Sequence, residues 1–175
     1  MSFLKKLFLV QGALIGSASF FSQKVNAQEI KVGDPAPVLT GVTHSGESLE
    51  LKSLTSKGKV LVYFYPKADT PGCTAQACSL RDSYVELQKK GVEILGVSTD
   101  GVEDLKKFRA KHRLPFFLIS DKEKKWAQAF SVSTMFGFTS RQAFLIEDSK
   151  ITWIDRTAST DKQAKDVLEV LNSRP

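Results

Sequence analysis

A chain of 175 residues is long enough to bury one sizeable core and too short for two comfortable domains. With 42% hydrophobic and 25% charged residues and no low-complexity run, its composition is ordinary for a globular protein. The net charge of +6 includes no block of Lys and Arg interleaved with aromatics, which argues against a nucleic-acid surface.

The chain opens on a short basic start, MSFLKK, followed by the apolar stretch LFLVQGALIGSASFF and the small residues Val25-Asn26-Ala27. This three-part layout predicts a secretory signal peptide, residues 1–27, cleaved after Ala27. The apolar stretch is short for a membrane span, which needs about 20 residues, so an uncleaved anchor is the weaker reading and an organelle transit peptide weaker still. The remaining residues, 28–175, would form one domain in an exported, oxidising compartment such as a periplasm or thylakoid lumen. No stable membrane association is expected after cleavage.

In chain order, VLTGVT (38–43) and SLELKSL (48–54) read as short strands around a turn at Ser45-Gly46. KVLVYFY (59–65) is β-branched, aromatic and apolar on both faces, so it is expected at the centre of a sheet. A helix is predicted from Pro71 to about Lys90, then a second central strand over VEILGVSTD (92–100). Val102–His112 reads as a helix, FFLIS (116–120) as a strand and KKWAQAF (124–130) as a short helix. QAFLIE (142–147) and KITWID (150–155) form a predicted hairpin over Asp148-Ser149. The tail from Thr160 to Leu171 is a last helix with Ala164, Val167, Leu168 and Leu171 inward. The order implies a single α/β domain, a central mixed β-sheet flanked by helices.

The only two cysteines, Cys73 and Cys78, lie five positions apart. Thr70-Pro71 is a good helix start, with Thr as N-cap and Pro at the first helical position. Cys73 then falls in the first turn, where free N–H groups and the helix dipole favour an anion, so a thiolate is stabilised there. On an intact helix Cys78 would sit about 140° around the axis, with its Cα about 8–9 Å from that of Cys73. A disulfide wants roughly 4.4–6.8 Å, so a bridge requires the first turns to unwind. A static staple, a metal clip and a cycling redox pair are the three readings. The staple would stabilise little, and a metal would find only His44 and His112 as histidine ligands. The redox pair is therefore preferred, and no metal is expected.

The stretch Pro66 to Thr74, PKADTPGCT, resembles the peroxiredoxin pattern P-x-x-x-T/S-x-x-C. The second cysteine five positions later is similar to the bacterioferritin comigratory protein, or peroxiredoxin Q, branch of the AhpC/TSA superfamily. VGDPAP (32–37), GVEILGVSTD (91–100), KHRLPFFLISD (111–121) and the Arg before QAFLIED extend the likeness over nearly all of residues 28–175. The resemblance implies a thioredoxin-like fold and a thiol peroxidase reducing hydrogen peroxide and alkyl hydroperoxides. It makes Cys73 the peroxidatic cysteine and Cys78 the resolving cysteine, joined in an intramolecular disulfide during turnover. Thr70 would hydrogen-bond thiolate and peroxide, Pro66 would shield the pocket, and Arg141 would stabilise the thiolate and the developing negative oxygen. A thioredoxin-like reductant is implied, along with a monomer and the absence of any cofactor. Gln76 stands where this branch usually carries Glu. Export, less common in the branch than a cytoplasmic home, calls for a reductant in the same compartment.

The rival reading is an exported thiol–disulfide oxidoreductase acting on protein substrates. Against it stand the C-x4-C spacing and the lack of any Pro between Pro115 and Pro175. Among bystanders, Tyr63, Phe64 and Tyr65 are expected as core packing and His112 as a helix terminus. His44 is expected exposed in its turn, and Phe116, Phe117, Met135, Phe136 and Phe138 in the core or at a pocket rim.

Overall fold

The computed structural model describes residues 29–173; the predicted signal peptide lies outside them. The first elements in chain order are β1 (Thr40–Thr43), β2 (Ser48–Glu50), α1 (Leu51–Thr55), β3 (Lys59–Phe64), α2 (Pro71–Asp82), α3 (Tyr84–Lys89) and β4 (Val92–Ser98). There follow α4 (Val102–Lys111), β5 (Phe117–Ser120), α5 (Lys125–Ala129), β6 (Thr134–Met135), β7 (Phe138–Thr139), β8 (Gln142–Glu147), β9 (Lys150–Asp155) and α6 (Gln163–Asn172).

Seven strands form one mixed sheet in the order β2-β1-β5-β4-β3-β8-β9. β3, β4 and β5 run parallel through its middle, with Leu61 opposite Ile94 and Gly96 opposite Leu118. β8 joins β3 antiparallel, and β9 folds back on β8. The turn between β8 and β9 uses Asp148 and Ser149 at φ 49° and 59°, the doubly left-handed conformation that matches strand twist in a tight hairpin.

The period-2 alternation of β3 sorts the core into two layers. Leu61, Tyr63 and Tyr65 face a cluster with Cys73, Ala77 and Leu80 of α2, Leu105 and Phe108 of α4, and Ala164 and Val167 of α6. Val60, Val62 and Phe64 face the opposite cluster, with Leu51 of α1, Trp126 and Ala127 of α5, and Phe144 of β8. A central strand buried on both faces explains why KVLVYF carries hardly any polar residue. Gly96 fits the same logic. A methyl group there would lie 2.7 Å from the Tyr63 hydroxyl and 2.8 Å from Leu118 Cδ2. Gly96→Ala is therefore expected to destabilise the fold by about 1–3 kcal/mol, measurable as a lower urea midpoint. An unchanged midpoint would show that Tyr63 can move aside.

Several expectations are corrected. The expected helix from Pro71 to Lys90 is two helices, interrupted at Ser83, whose backbone leaves helical geometry at φ −99° and ψ 7°. Residues 51–54 are not strand: the chain turns into α1 after Glu50, burying Leu51 under the sheet. The last helix starts at Gln163 rather than Thr160. Between α5 and β8 a small hairpin, β6–β7, was not foreseen. It carries Met135, Phe136 and Phe138 outward, at 68%, 91% and 42% exposure, so these three are not core. Phe116 is buried as expected.

His44 is buried, not exposed. Strand β1 runs antiparallel to β5, and the pairing carries on past Thr43: His44 N–H donates to Leu118 O at 2.8 Å, and Leu118 N–H donates to His44 Nδ1 at 3.4 Å. Burial first, then the Arg109 charge, hold the imidazole below its ordinary value of 6.5, with Glu47 opposing. The folded state thus binds this proton less readily than the unfolded chain. Its contribution to stability is complete above about pH 6.5 and is lost as the pH falls below it. His44→Gln should flatten stability against pH in this window, as followed by thermal melts. An identical profile in the variant would assign the pH dependence elsewhere.

Candidate active site

The site is assembled where β3 ends and α2 begins. Pro66 follows the strand, half-buried, and Thr70 takes the N-cap position of α2 with extended backbone and Pro71 behind it. The loop between them is fixed from two sides. Ala68 N–H donates to Asp100 Oδ2 at 2.7 Å, an oxygen that also accepts from Ser98 Oγ at 2.8 Å. Asp69, in left-handed backbone at φ 60°, contacts His112 Nε2 at 2.8 Å and Lys111 Nζ at 2.7 Å at the end of α4. Those bonds, His112 first, hold its carboxyl below the ordinary range. His112 is the C-cap of α4, at the helix terminus as expected. From the far side, Thr139 Oγ1 donates to Tyr65 O at 2.8 Å, tying β7 to the same corner.

Thr70 is an N-cap by position only. Its hydroxyl donates to Lys67 O at 3.0 Å and caps no backbone N–H of α2. The first N–H groups of α2, which no helical carbonyl can reach, are thereby left to whatever anion lies at the helix start. Cys73 sits in that turn at 2% exposure. Arg141, at the foot of β8, directs Nη2 to Cys73 Sγ at 3.4 Å. Sequence reasoning had paired these residues only through a resemblance; the structure brings them together across 68 positions. A methyl group at Gly72 would press on Thr160 Cγ2 at 3.2 Å and come to ordinary contact with Arg141 Nη2 at 3.4 Å.

The second Arg141 nitrogen, Nη1, donates to Gln76 Oε1, so the side chain noted only as a departure from a pattern is the arginine's anchor. Gln76 in turn donates through Nε2 to Gln163 Oε1 at 2.6 Å. Gln163 was missed, and no local signal marked it, because its role depends on how α6 docks. Tyr63 and Tyr65 are fully buried in the cluster that holds Cys73, as packing. Burial pushes both phenols up, so both stay neutral.

Cys78 lies half-buried on the same uninterrupted helix, and both thiols are free. The structure does not bring the two sulfurs into a bond, as the helix geometry anticipated. A thiol held at a helix N-terminus, against a guanidinium and largely out of water, can act as an anionic sulfur nucleophile whose leaving group meets a fixed positive charge. Among the described residues no cluster of three or more His, Cys, Asp or Glu side chains could hold a metal, and no helix is long and apolar enough to cross a membrane.

Comparison with known proteins places the chain in a family. Residues 32–154 match the AhpC/TSA family. A putative peroxiredoxin bcp of Coxiella burnetii is 48% identical over 103 residues, covering 59% of this chain and 68% of that protein. The chloroplastic peroxiredoxin Q of Populus jackii is 35% identical over 150 residues, covering 83% and 70%. The chain thus spans about two thirds of the length of the curated relatives it matches. Among solved structures, peroxidoxin BcpB of Mycobacterium tuberculosis superposes with a TM-score of 0.79 at 31% identity, over 84% of this chain and 99% of that one. The Xanthomonas campestris bacterioferritin comigratory protein, described for its alkyl peroxide reduction activity, gives 0.72 at 28% identity, over 80% and 98%. On its family match, its thioredoxin-like architecture and the cysteine–arginine pair at the head of α2, this chain belongs to the AhpC/TSA family, as a peroxiredoxin of the Bcp and peroxiredoxin Q branch.

Proposed function

We propose that this protein is an atypical two-cysteine peroxidase that reduces hydrogen peroxide and organic hydroperoxides through Cys73. The observation that carries the reading is the 3.4 Å contact between Arg141 Nη2 and Cys73 Sγ at the start of α2. The Cys73 thiolate attacks one peroxide oxygen, the O–O bond breaks, and the departing oxygen leaves as water or alcohol once protonated. Arg141 stabilises both the thiolate and the negative charge growing on the leaving oxygen. Thr70, whose hydroxyl donates to Lys67 O, keeps lone pairs free to accept from the peroxide, and Pro66 limits water at the mouth.

Cys73 is left as a sulfenic acid, which Cys78 attacks to form an intramolecular disulfide with loss of water. A thioredoxin-like dithiol then reduces this disulfide. The scheme draws every electron from thiols and uses no metal or organic cofactor. With the leader removed, the protein works as a monomer in an exported compartment, periplasm or thylakoid lumen, and its donor is a carrier resident there.

Cys78→Ser tests the division of labour. The variant should consume about one peroxide per chain, hold a sulfenic acid that a cyclic dione captures at Cys73, and then stall. Sustained turnover with a dithiol donor at the unmodified protein's rate would remove Cys78 from the cycle.

A further inference from the structure

Two polar contacts of α2 run to α6. Gln76 Nε2 donates to Gln163 Oε1 at 2.6 Å, and the Ala164 N–H of α6 donates to Ser79 Oγ at 3.4 Å. Both glutamines have no exposed surface. Gln163 Nε2 finds no hydrogen-bond partner. A buried amide satisfied on one side only is a net cost, which apolar residues at 76 and 163 together would avoid. Stability gives no reason for glutamine at 163 beyond supplying an acceptor for the buried Gln76 Nε2.

Its oxygen supplies one. The Gln76 amide has two ends, and only its oxygen can accept from Arg141. By accepting from the Gln76 nitrogen, Gln163 Oε1 fixes the orientation in which the Gln76 oxygen faces Arg141 Nη1. The chain of contacts thus runs from Cys73 Sγ through Arg141 and Gln76 to the first residue of α6. Gln76 also lies between the two cysteines. When α2 unwinds to bring Cys78 to Cys73, Gln76 moves with the unwinding turn and its bond to Gln163 is broken.

We propose that Gln163 is a positioning residue that latches α2 onto α6: it sets Arg141 for the reaction with peroxide and resists the opening that disulfide formation needs. The inference rests on the peroxidase reading above. In the step concerned, the Cys78 thiolate sulfur bonds to the Cys73 sulfenic sulfur, the S–O bond breaks, and the hydroxide released takes up a proton as water. The oxidant is the peroxide already consumed.

The test is a double-mutant cycle with Gln163→Met and Gln76→Met, in which reduced protein is mixed with peroxide and quenched with an alkylating agent at successive times. Mass spectrometry then separates thiol, sulfenic acid and disulfide. Loss of one hydrogen bond of ordinary net strength corresponds to about five-fold in rate. Gln163→Met should form the disulfide about five-fold faster while Cys73 oxidises more slowly. In the Gln76→Met background, Gln163→Met should change neither rate further, because its influence passes through Gln76. A merely structural residue would leave the two steps moving together. An unchanged or slower disulfide step in folded Gln163→Met, or its full effect without Gln76, overturns the proposal. If Gln163→Met does not fold, Gln163→Asn, one methylene shorter, breaks the same contact and is read in the same way. Failure of the unmodified protein to form any disulfide would sink the peroxidase reading itself, a result distinct from a disulfide whose rate ignores residue 163.

Discussion

Cys73→Ser should abolish peroxide turnover while leaving the fold intact. Serine is nearly the same size, and the site is a small buried position in the first turn of α2, so the cost in stability should stay near or below about 1–2 kcal/mol, the range for adding a polar group to a buried position that can find partners. The chemistry has no such tolerance. A serine hydroxyl is not ionised at neutral pH and its oxygen cannot pass through a sulfenic state, so nothing remains to take the peroxide oxygen. Peroxide consumption at the level of buffer, with an unchanged far-ultraviolet circular dichroism spectrum, is the expected result. Retained turnover would mean that another group carries the reaction.

Arg141→Met comes next in size. The guanidinium is the positive group hydrogen-bonded to the sulfur of Cys73, a residue only 2% exposed. Removing a fixed donor that stabilises developing negative charge typically costs about 10²–10³ in rate, and that loss is expected in the second-order constant for Cys73 oxidation. Arg141→Lys should recover only part of it, because an ammonium keeps the charge but cannot hold Sγ and Gln76 Oε1 at once. If Arg141→Met reacts within a few-fold of the unmodified protein, the helix N-terminus alone activates the thiolate.

How far these features could be read from the sequence follows from how local they are. β3, β4 and the β8–β9 hairpin were legible because alternation, β-branched residues and Asp148-Ser149 act over a few neighbours. Cys73 was legible because Thr70-Pro71 marks a helix start. The break at Ser83 was not, since the apolar spacing continues through it from Leu80 to Leu87, both fully buried. His44 looked like a turn residue because its burial depends on β1 pairing with β5, more than seventy positions away in sequence. Arg141 was reached only through a resemblance, and Gln163 not at all. Their places beside Cys73 and Gln76 depend on contacts spanning 68 and 87 positions, which no local pattern encodes.

In the proposed cycle, peroxide drives a Cys73–Cys78 disulfide through an opened α2. Its most direct test is to mix the fully reduced protein with one equivalent of hydrogen peroxide, follow fluorescence, and count thiols by alkylation and mass. Trp153 packs against the cluster that contains Cys73, so it should report the rearrangement. Rapid loss of both thiols in every chain, with a single intramolecular disulfide joining Cys73 to Cys78, is the expected result. Two thiols surviving at the slow rate of an ordinary free cysteine would contradict it.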